Sequence, residues 1–192
     1  MSRDGAIIGV SDHSGWAVLV TVTADGTLLD RRRIELVAGD LPKLPHHHEA
    51  QKLPLEDALD LIERVRVSAE THAKFALEAL ALAVSSRILG IAIRECPPLP
   101  PTVAERLQNY RAQNVADTVM YRMALAGAAE ARGWAVHLYQ RKNVLDAARD
   151  ALHVADLDAH FINLRKSIGP PWTNDHKVAM AAAIVAASDG RS

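Results

Sequence analysis

The sequence predicts an α/β protein. It is built on a mixed five-stranded sheet, three antiparallel strands followed by two parallel ones, with helices on both faces. Three observations predict it. Two β-branched apolar runs and an Asp-Gly turn open the chain, the pattern of an antiparallel meander. Two later apolar runs, "RILGIAI" and "WAVHLY", each follow a long helical stretch, as strands delivered through crossovers do. Hydrophobic residues make up 49% and charged residues 23% of the 192, enough for a substantial core and too apolar for disorder.

"AIIGV" (6–10) and "WAVLVTV" (16–22) read as strands separated by "SDHSG". "ADGT" (24–27) is a hairpin turn, because glycine accepts the positive φ that such turns require. "TLLDRRRIELV" (27–37) is half polar, as an edge strand with one wet face should be. A His- and Pro-rich loop follows over 38–54. From 55 to 84, Leu55, Leu59, Ile62, Val65, Phe75, Leu80 and Val84 recur at helical spacing. "RILGIAI" (87–93) is a central strand covered on both faces. The segment from Thr102 to Gly133 reads as one helix opened by Thr102 and stopped by Gly133. "WAVHLY" (134–139) is a strand, and "NVLDAARDALH" (143–153) a helix opened by Asn143. After the breaker "GPPW" (169–172) comes a last helix, "TNDHKVAMAAAIVAAS", capped by Thr173 or Asn174. Right-handed crossovers place the strands at 88 and 134 beside the first strand. This is the ribonuclease H-like arrangement, expected as a single domain over 1–192.

The chain opens without a secretory signal, since "MSRDGAIIGV" is acidic at once and its apolar run is short, and no window suits a membrane span. With one cysteine, Cys96, no internal disulfide is possible, and a buried inert thiol is expected there. A reducing cytoplasm follows as the expected location. The formal charge of −1 argues against a constitutively basic nucleic-acid binder while leaving room for a local basic groove. Neither a Walker loop nor a Gly-rich dinucleotide fingerprint is present.

In such sheets chemistry gathers beyond the carboxyl ends of the central strands. Those ends carry Ser11, Asp12 and His13; Arg94 and Glu95; and Gln140, Arg141 and Lys142. The last helix adds Asp175, His176 and Lys177. Here "IIGVSDHSGWAVL" resembles the opening of RuvC-type Holliday-junction resolvases and other ribonuclease H-like nucleases. "LGIAIRE" is similar to their fourth strand, which ends in a catalytic Glu, and "TNDHKVAMAAAIVAA" to their final, acid-bearing helix. The resemblance implies Asp12, Glu95 and Asp175 as catalytic acids holding Mg²⁺ or Mn²⁺ for phosphodiester hydrolysis, with nucleic acid as partner. Carboxylates on neighbouring elements suit such hard cations. One departure stands out: the pattern's first Asp falls at Ser11, and Asp12 comes one residue late. In a regular strand the two face opposite ways.

Two functions therefore remain open. One is a divalent-metal nuclease or phosphodiesterase; the other is a non-catalytic ribonuclease H-like domain that binds a partner or small ligand in the same crevice. Arg111, Asn114, Tyr121, Arg141 and Lys142 are the expected substrate contacts, the first three on one polar stretch of helix. A histidine-supported metal site would use His13, His46, His48 and His176 instead. Against each stands a plainer role: Asp12 in an Asx turn, Glu95 as a wet strand end, Asp175 as a helix first-turn acid, "HHHE" as a solvated loop, and "RRR" (31–33) as a charged edge. The proline stretch after Glu95 is expected to hold that residue at the crevice rim. A homodimer is compatible with all of this.

Overall fold

A computed structural model describes residues 5–189. Strands β1 (Gly5–His13), β2 (Trp16–Thr23) and β3 (Leu28–Glu35) form the antiparallel meander; β4 (Arg87–Arg94) and β5 (Ala135–Tyr139) add in parallel. The sheet order is β3-β2-β1-β4-β5, which leaves β1 and β4 central, as expected. Strand β1 runs further than its apolar residues suggest. It stays paired with β2 through Asp12 and His13, so "SDHSG" is mostly strand, turned only at Ser14–Gly15.

Helices cover both faces. On one, α1 (Leu55–Ala83) and α3 (Tyr110–Glu130) bury Val65, Leu77, Tyr121 and Leu125 against Ile8, Val10, Leu19 and Ile91. On the other, α4 (Val144–Leu152), α5 (Leu157–Ile168) and α6 (Asn174–Asp189) bury Ala148, Phe161, Met180 and Ile184 against Ile7, Val18, Val20 and Ala92. The alternation of β1 between these two cores is the two-residue strand period made physical.

Two local expectations are corrected, and one helix is added to the expected elements. The predicted helix from Thr102 is two helices. Thr102 and Glu105 form a capping box for α2 (Val103–Leu107), and α3 starts afresh because Asn109 Oδ1 accepts from the Ala112 N–H at 3.1 Å. The segment 157–168 is a defined helix, capped by Asp156. The "HHHE" stretch is no solvated loop. Pro45–Glu49 is a π-helical turn in which His46 is buried; His46 Nδ1 donates to Asp117 Oδ1 at 2.8 Å, and the His46 and His47 amides donate to the same carboxylate at 3.0 and 3.2 Å. The three charges of "RRR" are spent locally. Arg31 donates to the carbonyls of Ile168 and Gly169, Arg32 pairs with Asp30, and Arg33 with Glu35. Among the described residues no helix is long and apolar enough to cross a membrane.

Helix α6 lies unusually close to the sheet. A Cβ on Gly9 would sit 1.8 Å from the Ala179 carbonyl oxygen, so only glycine lets the alanine face of α6 seat on β1. That seating sets where Asp175, at the start of α6, meets the end of β1. Gly9→Ala should therefore lower stability by about 1–3 kcal/mol. Gly127→Ala, in the interior of α3 with nothing within 4 Å of the added methyl, should raise it. Thermal unfolding followed by circular dichroism distinguishes the two; equal effects would show that the α6 contact imposes no constraint.

Candidate functional site

The carboxyl ends of β1, β4 and β5 open into a cleft of about 840 Å³, walled on one side by α3 and on another by the prolines after Glu95. Four cations line it, Arg94, Arg122, Arg141 and Lys142, against two acids, Asp12 and Glu95. Among the described residues Arg94, Arg141 and Lys142 have no carboxylate within ion-pair distance. The cleft is thus basic within a chain whose net charge is −1.

Ser11 and Asp12 face opposite ways, as a regular strand requires. Asp12 points to the α3 side, where Arg122 Nε donates to its Oδ2 at 2.8 Å; both side chains are buried. Arg122 Nη1 also donates to the Glu95 carbonyl at 3.1 Å, so one guanidinium joins β1, α3 and the exit of β4. The Glu95 N–H in turn donates to the Tyr139 carbonyl, and the Glu95 side chain is exposed at the rim. Tyr139 O–H donates to the Val10 carbonyl at 2.7 Å; burial, then the nearby Asp12 charge, pushes this phenol up.

On the α6 side, Asp175 Oδ1 accepts from both Ser11 Oγ and His13 Nε2, each at 2.9 Å. Burial raises the Asp175 carboxyl, but the bonds from His13 and Ser11 outweigh it, and its pKa lies below the ordinary carboxylate range. His13 lies flat on Trp16, ring centroids 4.0 Å apart and planes 4° from parallel, and the Arg33 guanidinium covers the other face of Trp16 at 4.1 Å. Further along α6, His176 is buried beside Trp172, with its Nδ1 accepting from Thr173; burial, then Arg31, pushes its pKa down.

The fold is ribonuclease H-like, and this crevice lies at the carboxyl ends of the central strands of its 3-2-1-4-5 sheet. Among solved structures the chain is similar to Thermus thermophilus RuvC. It covers 97% of this chain and 95% of that one with a TM-score of 0.54 at 14% identity. The complex of T. thermophilus RuvC with Holliday junction substrate gives 0.53 at 15% identity, over 97% of this chain and 94% of that one. No protein-family model and no curated protein matches the sequence. At this identity the likeness establishes the RuvC-like fold.

The donor set does not fit a divalent-metal centre. Asp12 and Asp175 lie on opposite faces of the sheet, the first bonded to Arg122 and the second to Ser11 and His13. Glu95 stands apart at the rim. Among the described residues no three His, Cys, Asp or Glu side chains gather, so the histidine set fares no better: His46 is tied to Asp117, His48 is exposed, and His176 is tied to Thr173. Mg²⁺ or Mn²⁺ needs several free carboxylate oxygens around one point. Asp12 and Glu95 line the same cleft, and Asp175 is not part of that lining.

Of the expected substrate contacts, Arg141 and Lys142 line the cleft, whereas Arg111 and Asn114 are exposed on α3 outside its lining. Tyr121 is corrected outright. It is fully buried, with its O–H donating to the Lys43 carbonyl at 3.0 Å, and belongs to the core. Cys96 is corrected in the other sense: it is exposed, at the cleft edge. Sequence reasoning missed Arg122 and the Arg33–Trp16–His13 stack. A signal for Arg122 existed, since an acid turned toward an apolar helix face needs a cation from that helix.

Removing one member of the buried pair should be costly and removing both cheap. Arg122→Met should lower unfolding free energy by about 3–5 kcal/mol, and the double variant Asp12→Leu/Arg122→Met should recover most of that. Chemical denaturation of the three variants checks it; a double variant as weak as the single one would show that packing, not charge, is at stake. For Asp175 the sign follows from its lowered pKa. Its contribution is present above the ordinary carboxyl value of about 4 and is lost as pH falls through the depressed folded value. The stability gap between wild type and Asp175→Asn should be full at neutral pH and close in acid, as a pH series of melting curves would record.

Proposed function

We propose that this is a nucleic-acid-binding protein of RuvC-like fold that holds phosphates with cleft cations and has no carboxylate-metal cutting centre. The observation that carries the reading is the charge arrangement. The buried acid of the cleft is neutralised from within by Arg122, and Asp175 is hydrogen-bonded by His13 and Ser11, while Arg94, Arg141 and Lys142 are left free to meet an anion. Phosphate neutralisation by such groups supplies most nucleic-acid affinity, and a local basic cleft suffices for it. The likeness to a RuvC bound to a Holliday junction supports DNA as the partner class.

The residues act as follows. Arg141 and Lys142, on the short turn between β5 and α4, are exposed long side chains placed to meet successive phosphates. Arg94 emerges from the central strand and supplies charge at the cleft floor. Arg122 is held by Asp12 and by the Glu95 carbonyl, so it shapes the cleft wall and keeps the acid from repelling the ligand.

Fluorescence anisotropy with a labelled four-way junction and a labelled linear duplex tests the proposal. Binding should weaken steeply between roughly 50 and 200 mM salt, and Arg141→Glu/Lys142→Glu should both weaken it and lower the salt slope by about 2. No cleavage should appear with Mg²⁺ or Mn²⁺. Absence of binding to either DNA would sink the reading. Metal-dependent cleavage abolished by Glu95→Gln would replace it with the nuclease.

A further inference from the structure

We propose that the cleft takes unpaired nucleic acid, with a single exposed base stacking on His13 and its flanking phosphates on Arg94, Arg141 and Lys142. The inference rests on the nucleic-acid reading above and specifies the form of strand. Its observation is the three-layer stack at the β1–β2 hairpin. Trp16 is the middle layer, covered on one face by the Arg33 guanidinium and on the other by the His13 ring. In such a half-buried sandwich both faces of the middle ring are covered, so a further flat ring is added at one of its two ends.

The two ends differ. The Arg33 end points away along the sheet edge, where Arg33 is already paired with Glu35. His13 is among the residues that line the basic cleft, and its side chain is 37% exposed. The ring cannot tilt freely: Nε2 is fixed on Asp175 at 2.9 Å and one face is fixed on Trp16. A pre-set flat surface beside unpaired cations is what an extruded base and its backbone require. Stacking on aromatic rings is tolerant of base identity, and the phosphates are read as charge. Bases in an intact duplex are already stacked on both sides and cannot use such an end. A free nucleotide shares the base-plus-phosphate chemistry but carries its charge on one side of the base, whereas Arg94 ends β4 and Arg141 and Lys142 follow β5; a strand, with a phosphate on each side of the base, matches that placement.

The test compares three probes of equal length by anisotropy: an oligothymidine of about ten nucleotides, an abasic oligomer with the same phosphates, and a duplex. Wild type should bind the oligothymidine about tenfold or more tighter than the abasic strand, and tighter than the duplex per phosphate. His13→Ala should abolish the difference between oligothymidine and abasic strand. His13→Phe keeps a flat ring on Trp16 without the Asp175 bond and should retain the base preference; this variant separates stacking from a folding defect. Equal binding of oligothymidine and abasic strand by wild type overturns the inference and leaves simple phosphate binding standing. Preference for the duplex also overturns it, as does displacement of the oligothymidine by thymidine monophosphate at matching concentrations. Failure to bind any of the three strikes the underlying nucleic-acid reading instead.

Discussion

The strict two-residue period of β1 governs everything at the cleft. Because β1 remains paired with β2 through His13, Ser11 and His13 face α6 while Asp12 faces α3. The sheet thus stands between the two carboxylates that the chain's plan brings near each other. Each acid must then be satisfied by what its own side offers, a guanidinium from α3 or a hydroxyl and an imidazole from β1 itself. A one-residue shift would move every group to the opposite face, so the displacement of Asp from position 11 to position 12 is not a minor variation. It changes which helix the acid answers to.

Arg122 shows the energetic consequence. A buried carboxylate on an apolar helix face is untenable alone, and a metal ion is one remedy. Here the chain supplies the cation internally, and the same guanidinium fastens the exit of β4 through the Glu95 carbonyl. The proline stretch that follows Glu95 is held in its turn by Arg106, which donates to the Pro100 and Pro101 carbonyls. Stiffness at the strand exit was foreseeable from the prolines. What they hold in place is a cleft wall, with the Glu95 side chain directed to solvent.

The fold was legible because it depends on periodicity, which survives in a single sequence. Strands β1, β2, β4 and β5, helix α1 and the sheet order all follow from apolar spacing and crossover handedness. The misreadings have a common cause: each depends on a partner far away in the chain. His46 is buried because Asp117 waits on α3, and Tyr121 leaves the polar face of its helix because the Lys43 carbonyl is there to receive it. Arg122 pairs with an acid 110 residues earlier. Spacing places residues on faces but does not say what stands opposite. The break at Asn109 differs in kind. An Asn that can cap interrupts a run whose hydrophobic pattern would have continued, and that competition is local and readable.

The same long-range pairing explains how a nearly neutral chain presents a basic cleft. Three of its carboxylates are turned inward and bonded: Asp12 to Arg122, Asp117 to His46 and backbone amides, and Asp175 to Ser11 and His13. Only one of those bonds consumes an arginine; the others use imidazoles, amides and a hydroxyl. Acid is therefore withdrawn from the surface near the strand ends faster than base, and Arg94, Arg141 and Lys142 keep their charge for the solvent side. Net charge measures the sum and conceals this partition. A local excess of cations over a rigid floor gives directional attraction for phosphate without the self-repulsion of a uniformly basic protein. The stacked His13, locked by its bond to Asp175, adds to that attraction a flat surface that charge alone does not provide.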